Sequence, residues 1–414
     1  MDNVINTLRI QNFKSIRSAI LHPRRVNLII GQPNVGKSTL MEAMTLLGGR
    51  GYDQGKRRFM ADFIRYEKPQ HLFNDNKLTN TIRIESDHDV CLLGKTAKGK
   101  GFEYASFSQE GYQSLRARLA VLPGNGLTQS LSDNTLLLAL GRQLSEQSAD
   151  LPAHYQYARL DRRGRLESAL GAGTLLGTGR PWQPLAVKSY CFRRQSRLNN
   201  VRPENGLYPP HGDNLVHVLE GNPTLRHQFA DLFNHHGLHL RVRVDAGRLE
   251  IIKDLDGLSC AFPYSGSSDT LQRYGFYLAA IESNRQSVIL LEEPGSNSYP
   301  TYVAQLGQRI ATNPHNQFFV TTHSPYLFRE VLENMVPYEN RMPELAVFVA
   351  YYQDFETRVR QLTDEEVRSI RRDSLDVFYH LDKFVQNVAT QTEQARRTGQ
   401  LAALRRPAAA PVPG

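Results

Sequence analysis

The stretch Gly31-Gln32-Pro33-Asn34-Val35-Gly36-Lys37-Ser38-Thr39, GQPNVGKST, decides the fold. It fits the spacing G-x-x-x-x-G-K-[ST], and each fixed position has a physical reason. Gly31 and Gly36 reach backbone angles closed to other residues, so that successive N–H groups can crowd around a phosphate. Lys37 supplies a point charge for the β- and γ-phosphates of a nucleotide, and the Ser38 hydroxyl is a ligand for Mg2+. Asn34 and Thr39 belong to the same expected nucleotide-binding set. The bare pattern occurs by chance, so its surroundings carry the weight. VNLII before it is a short apolar run that reads as a buried strand. Ser38 to Leu47 after it places Leu40, Met41, Met44 and Leu47 at helical spacing, closed by Gly48 and Gly49. The helix aims its positive end at the anion.

A phosphate loop that hydrolyses its nucleotide needs an acid on a second buried strand to hold Mg2+, and often a base for the attacking water. SVILLEEP, residues 287–294, offers both: Glu292 for the metal and Glu293 for the water. Two adjacent carboxylates at the end of an apolar strand repel each other and cost desolvation, which a shared cation relieves. QFFVTTHSP, residues 317–325, repeats the arrangement and ends in His323, placed to meet the γ-phosphate or orient the water. Thr321, Thr322 and Ser324 read as supporting polar groups.

Around these motifs the chain alternates strands and helices. TLRIQNF and TIRIES are alternating strands. Helices are expected over NLVHVLEGNPTLRHQFADLF, TLQRYGFYLAAIESN and YVAQLGQRIA. LHLRVRV and GRLEIIKD read as a hairpin around Asp245-Ala246-Gly247, and AVFVAYY as a strand. Thr363 and Glu366 form a capping box for a late helix, and a last one is expected from about Leu375. The predicted fold class is α/β: a mixed or parallel sheet flanked by helices, in the manner of a P-loop NTPase, carrying an inserted, partly helical subdomain. The boundaries expected are 1–94 for the first part of the ATPase head, 95–186 for the insert, 187–385 for the second part and 386–414 for a tail. The insert is rich in Gly, Ser, Arg and Lys, with helical patches at LRARLAVL and NTLLLALGRQL. The tail ends in an Ala/Pro-rich run expected to be disordered.

Composition sets limits. The 414 residues are 40% hydrophobic and 22% charged, ordinary for a globular protein. Cys91, Cys191 and Cys260 lack pairing or metal spacing and read as reduced, mostly buried thiols of a cytoplasmic protein. No run of about 18 apolar residues exists to span a membrane, and the N-terminus lacks a signal peptide's apolar core. The net charge of +9 permits nucleic-acid or acidic partners. Arg162, Arg163 and Arg165, then Arg193, Arg194 and Arg197, are the strongest basic clusters. His235, His236 and His239 read as structural residues at a helix exit, not as a zinc site.

The motifs, in the order FKS, GQPNVGKST, YSGSSDTLQRYGFYLAAI, LLEEP and TTHSPYL, resemble the ABC-type ATPase heads of the SMC, RecF and OLD group. Within it the likeness is to stand-alone bacterial AAA-family ATPases of phage-defence and toxin–antitoxin loci, such as those of PARIS-type systems. The resemblance covers about residues 1–85 and 187–380. It implies an ATPase using ATP and Mg2+ whose heads pair head-to-tail as a homodimer or higher homo-oligomer. A signature turn of one head, here Ser265-Gly266-Ser267 with Ser268 and Asp269, then meets the nucleotide of the other. Asp269 stands where a second glycine is common. The resemblance also implies a metal-facing glutamine, for which Gln70 is the candidate, and a basic residue near the nucleotide, Lys14. Two functions follow from it. One is an ATP-driven switch controlling a separate effector, a nuclease or toxin, in anti-phage defence, since no acidic nuclease cluster follows His323. The alternative is a RecF- or SMC-like repair or chromosome-maintenance ATPase that contacts DNA through the basic insert. The long separation of Gly31 from Ser265 argues against a transporter head. Relatives often place a glutamate and a histidine after the strand-end proline. Gly295-Ser296-Asn297-Ser298 stands here instead.

Overall fold

A computed structural model describes residues 4–48, 58–97, 99–121, 132–146, 155–171, 186–194 and 206–385. The first segments form β1 (Leu8–Phe13), β2 (Ile16–Leu21), β3 (Val26–Ile30) and α1 (Lys37–Gly48), then β4 (Ile82–Ser86), β5 (Asp89–Lys95) and β6 (Gly101–Ser108). There follow α2 (Gln109–Val121), α3 (Asp133–Ser145), β7 (Tyr155–Asp161), β8 (Leu166–Gly171) and β9 (Val187–Tyr190). The remainder holds α4 (Leu215–Gly221), α5 (Pro223–Asn234), β10 (His239–Arg243), β11 (Arg248–Leu255), β12 (Leu258–Pro263) and α6 (Asp269–Ser283). It closes with β13 (Val288–Glu292), α7 (Pro300–Thr312), β14 (Gln317–Thr321), α8 (Pro325–Met335), β15 (Leu345–Gln353), β16 (Glu356–Gln361) and α9 (Asp364–Arg372).

Two large sheets sandwich the phosphate-loop helix. One has the order β16-β15-β3-β14-β13-β9, parallel except for β16. Its central strands β3 and β14 are buried at every position, as a sheet covered on both faces requires. The other has the order β2-β1-β4-β5-β6-β7-β8 and is antiparallel throughout. Between them α1 buries Leu40, Met41, Ala43, Met44, Leu46 and Leu47 against β1, β4, β13 and β14. A second core, on the far face of the six-stranded sheet, is packed by α4 to α9. A third lies under α2 and α3, on the outer face of the antiparallel sheet.

The segment expected to be an insert does not stand apart. It contributes β6, β7 and β8 to the sheet begun by β1, and α2 and α3 cover that sheet. Strand β6, GFEYASFS, is buried at seven of its eight positions, so no alternation marks it as a strand in this Gly-, Ser-, Arg- and Lys-rich segment. The helix expected over 214–233 is broken at Asn222-Pro223, because Pro223 begins α5 and Asn222 caps it through Leu225 N–H. The hairpin around residues 245–247 gains a third strand, β12. Helix α6 begins at Asp269 itself, one residue before the expected start, with Ser268 in the N-cap position. The capping box of Thr363 and Glu366 is present. The last helical stretch described is 381–385, later than Leu375. Arg197 and the tail 386–414 lie outside the described residues.

Register decides where chemistry can occur. Glu292 is paired with Thr321, and Thr321 with Ile29, so β13, β14 and β3 end level with one another. Ligands of open parallel sheets bind at these carboxyl ends. The loop between β3 and α1 lies there.

Candidate nucleotide site

The loop from Gly31 to Ser38 is shaped by three left-handed or open backbone positions: Gly31 at φ +156°, Asn34 at +63° and Gly36 at +94°. A Cβ on Gly31 would meet the Ala350 carbonyl oxygen at 2.3 Å, and one on Gly36 the Thr357 Oγ1 at 2.2 Å. The glycines are therefore demanded by β15 and β16 packing beneath the loop as well as by its angles. Asn34 is exposed at the tip, and Thr39 is half-buried in the first turn of α1.

Lys37 is buried, and its ammonium turns back over the loop to donate to Gly31 O at 3.0 Å and Gln32 O at 2.8 Å. Burial lowers its pKa, while the Glu293 charge works the other way. Neutral carbonyls are poor partners for a buried ammonium, so this cation is held ready for an anion. The Ser38 hydroxyl donates to Glu292 Oε1. Two oxygen ligands suited to a hard cation thus meet across the sheet end, a donor set that fits Mg2+.

Glu293 has φ +48°, and its N–H donates to Thr321 O at 3.1 Å. Its Oε2 accepts from the His323 backbone N–H at 3.1 Å, and its Oε1 lies 3.4 Å from His323 Nε2. Burial lowers the His323 pKa; Glu293 raises it and Lys37 lowers it further. The net shift leaves the imidazole neutral at pH 7, beside an ionisable carboxylate. Glu293 and His323, following adjacent strands, form an acid–imidazole pair next to Glu292. Thr321 and Thr322 are buried supports, and Ser324 caps α8 through Leu327 N–H.

Sequence reasoning missed a second cluster. Glu42, one turn after Ser38 on α1, is a buried carboxylate held by Lys14 Nζ and by Arg65, whose Nε donates to Oε1 at 2.8 Å. Arg65 Nη2 continues to Glu292 Oε1 at 3.2 Å. Burial disfavours the charge of Arg65, but Glu42 and Glu292 outweigh it and push its pKa up. Lys14 therefore reaches the site through Glu42 and through Arg65 O at 2.6 Å. Gln70 is exposed on the 3-10 turn Pro69–Leu72, and it is Arg65 that this segment brings to Glu292. The only trace in the sequence is the i, i+4 spacing of Ser38 and Glu42, which puts an acid on the Ser38 side of α1 without marking it as buried.

The signature turn is not joined to the phosphate loop of its own chain by any hydrogen bond or ion pair among the described residues. Residues Tyr264–Gly266 form a 3-10 turn ahead of α6. Arg194 donates to Ser265 O through Nε (3.1 Å) and Nη2 (2.7 Å), and Gln272 Nε2 to Ser267 O at 2.8 Å. Gly266 is exposed. Of the three cysteines, Cys91 is buried, whereas Cys191 and Cys260 are exposed free thiols.

Residues 4–119 match the family described as "AAA ATPase domain". Residues 203–329 match the one described as "AAA domain, putative AbiEii toxin, Type IV TA system". The phosphate loop and the level strand ends give the chain the fold of a P-loop NTPase, and two of its stretches are similar to AAA-type ATPase domains. Among solved structures the chain is similar to an SMC head bound to the C-winged helix domain of ScpA (12% identity, TM-score 0.45, 88% of this chain and 99% of that one). It is similar also to the SMC head domain from Thermotoga maritima (13%, 0.36, 87% and 99%). A third likeness is to the SMC head with an extended coiled coil bound to the C-terminal domain of ScpA from Pyrococcus furiosus (11%, 0.42, 89% and 98%). No curated protein matches the chain.

Proposed function

We propose that the chain binds ATP with Mg2+ and hydrolyses it to ADP and phosphate, and that two or more copies pair through their heads around the nucleotide. The observation that carries this reading is the Glu293–His323 pair, held at 3.1 and 3.4 Å beside the Ser38–Glu292 contact. Lys37 exchanges its two carbonyl partners for phosphate oxygens. Ser38 and Glu292 would hold Mg2+, which would supply positive charge against the phosphates. Glu293 accepts the proton of the attacking water as its oxygen bonds to the γ-phosphorus and the ADP oxygen departs. His323, neutral at pH 7, orients Glu293 and the water. The signature turn, Ser265 to Ser267 ahead of α6, exposes Gly266 and would present it to the nucleotide of a second copy.

In this reading the chain is a switch, acting in the cytoplasm, whose ATP state controls a separate effector protein, a nuclease or toxin, in anti-phage defence. The motif order and the match of residues 203–329 to a family described by a toxin–antitoxin system support it. A specific observation favours the DNA-binding alternative. Arg162, Arg163 and Arg165 are exposed on the β7–β8 turn, and Gly164 O of that turn accepts from Phe59 N–H at 2.8 Å. This sets the basic turn against the segment that carries Arg65. No helix among the described residues is long and apolar enough to cross a membrane.

The test is phosphate release from MgATP together with molar mass by light scattering. Wild type is expected to hydrolyse ATP and gain mass with it, and Lys37→Ala to do neither. Absence of hydrolysis in wild type, or unchanged hydrolysis in Lys37→Ala, defeats the proposal. Duplex binding that weakens with salt would select the DNA-contacting form.

A further inference from the structure

We propose that Arg65 is the resident counter-ion of the metal position: its guanidinium neutralises Glu292 while no divalent cation is bound, yields that oxygen when Mg2+ arrives, and stays pivoted on Glu42. The inference rests on the reading of Ser38 and Glu292 as the metal-holding pair.

The two ends of the guanidinium are held very differently. On the inner side, Nε donates to Glu42 Oε1 at 2.8 Å and the Arg65 backbone N–H donates to the same oxygen at 3.2 Å. Glu42 is 6% exposed and takes Lys14 on its other oxygen, so this side is a nearly dry, charge-assisted anchor. A buried carboxylate stripped of such partners is strongly unfavourable, so the anchor does not let go easily. On the outer side, Nη2 lies 3.2 Å from Glu292 Oε1, and the Arg65 side chain is 67% exposed. An ion pair so open to water is weak and screened.

The outer contact falls on a particular atom. Glu292 Oε1 is also the oxygen that accepts the Ser38 hydroxyl. A hard cation that takes the two oxygens already in contact, Ser38 Oγ and Glu292 Oε1, takes the atom Arg65 holds. Guanidinium and metal therefore compete for one oxygen, and the competition is resolved by moving the weakly held arm only. The released arm remains beside the phosphate loop because Nε is still fixed. The change is carried outward, since Arg65 O accepts from Lys14 Nζ at 2.6 Å and Lys14 N–H donates to Leu72 O at 2.8 Å. The alternative role for Arg65 is a plain staple joining the segment after residue 58 to α1. Both roles use Glu42; only the counter-ion role uses Nη2 against the metal.

The two differ in sign in a metal-binding measurement. Mn2+ is titrated without nucleotide at low salt and followed by proton relaxation enhancement, with folding checked by circular dichroism. Removing one positive charge a few ångströms from a half-buried carboxylate is expected to tighten Mn2+ binding about three- to tenfold in Arg65→Gln. Arg65→Lys, which keeps a cation on Glu42 but has no second arm, moves in the same direction and guards against a misfolded glutamine variant. The gain shrinks at high salt. Equal or weaker Mn2+ binding in both variants overturns the inference and leaves the staple. If Glu292→Gln binds Mn2+ as tightly as wild type, the metal assignment itself falls, a result distinct from the failure of Arg65 to compete.

Discussion

The most direct perturbation of the site is Glu293→Gln. The substitution keeps shape and removes charge. The amide oxygen still accepts the His323 backbone N–H now 3.1 Å from Oε2, and the main-chain bond from Glu293 N–H to Thr321 O at 3.1 Å is untouched. Nothing buried is left unpaired, so the folded state is expected to change by less than about 0.5 kcal/mol. Nucleotide affinity is expected to hold within about threefold, because Lys37, Ser38 and Glu292 make their contacts without passing through Glu293. The chemical step loses its proton acceptor. A positioned general base contributes about 100- to 10,000-fold, or roughly 3–5 kcal/mol of barrier. Single-turnover release of radiolabelled phosphate isolates this step, and a fluorescent ATP analogue reports affinity separately. A single-turnover rate within threefold of wild type refutes the assignment of Glu293 as base. Equal losses of rate and affinity refute the division of labour between Glu292 and Glu293.

Other perturbations test other links. Gly36→Ala must place a Cβ 2.2 Å from Thr357 Oγ1 at φ +94°. Thr357 cannot retreat, being tied by N–H to Ser15 O at 2.8 Å and through its hydroxyl to Ser15 Oγ at 2.7 Å. Urea melts should show a loss of about 2–4 kcal/mol and ATP binding should vanish, with Thr357→Ala restoring part of both. For pH, burial and Lys37 hold the His323 pKa below its ordinary 6.5 against the pull of Glu293. The imidazole is thus more than half neutral at pH 6.5 and becomes mostly protonated only below it. Hydrolysis should change little from pH 8 to 7 and fall to half only below pH 6.5; a decline already complete at pH 7 contradicts the geometry. In the antiparallel sheet, Arg83 Nη1 donates to Tyr112 OH at 2.6 Å and Asp133 Oδ1 at 2.9 Å, and Nη2 to Glu85 Oε2 at 3.1 Å. Arg83→Met strands two largely buried carboxylates and should cost about 2–4 kcal/mol in urea unfolding, while hydrolysis at 25 °C persists.

What the sequence made legible was local. VNLII, SVILLEE and QFFVTTHS announce buried strands because an apolar run stops abruptly at polar residues, and the residues at the stops are the chemistry. The pairings that make the three stops level, Glu292 with Thr321 and Thr321 with Ile29, are tertiary and leave no trace in any one segment. Strand β12 was invisible because every residue of LSCAFP is exposed, so no face is marked. β16 was missed because ETRVRQ buries only Thr357. Gln70 is exposed on a short turn that buries Pro69 and Leu72, and no hydrogen bond joins it to Ser38 or Glu292 among the described residues. Glu42 reads as an ordinary solvent-facing acid of an amphipathic helix. It is buried because two cations arrive from 28 and 23 residues away.

The adjacent glutamates show how the two levels meet. In a strand, neighbouring side chains point to opposite faces, so Glu292 and Glu293 would be divided by the sheet if β13 simply ran on. It does not: β13 stops at Glu292, and Glu293 turns to φ +48°. The turn is closed by Ser296 N–H donating to Glu293 O at 3.1 Å. Gly295, inside it, admits no Cβ without pressing on Val303 at 3.0 Å and Ser324 at 3.2 Å. The break brings both carboxylates to the same end of the sheet, one onto Ser38 and Arg65, the other onto His323. Repulsion between them is met by a different donor on each side. The small residues after the acids are therefore what allows two adjacent acids to take two roles. Substituting Gly295 by a β-branched residue should disturb Glu293 before Glu292, because only Glu293 lies inside the turn.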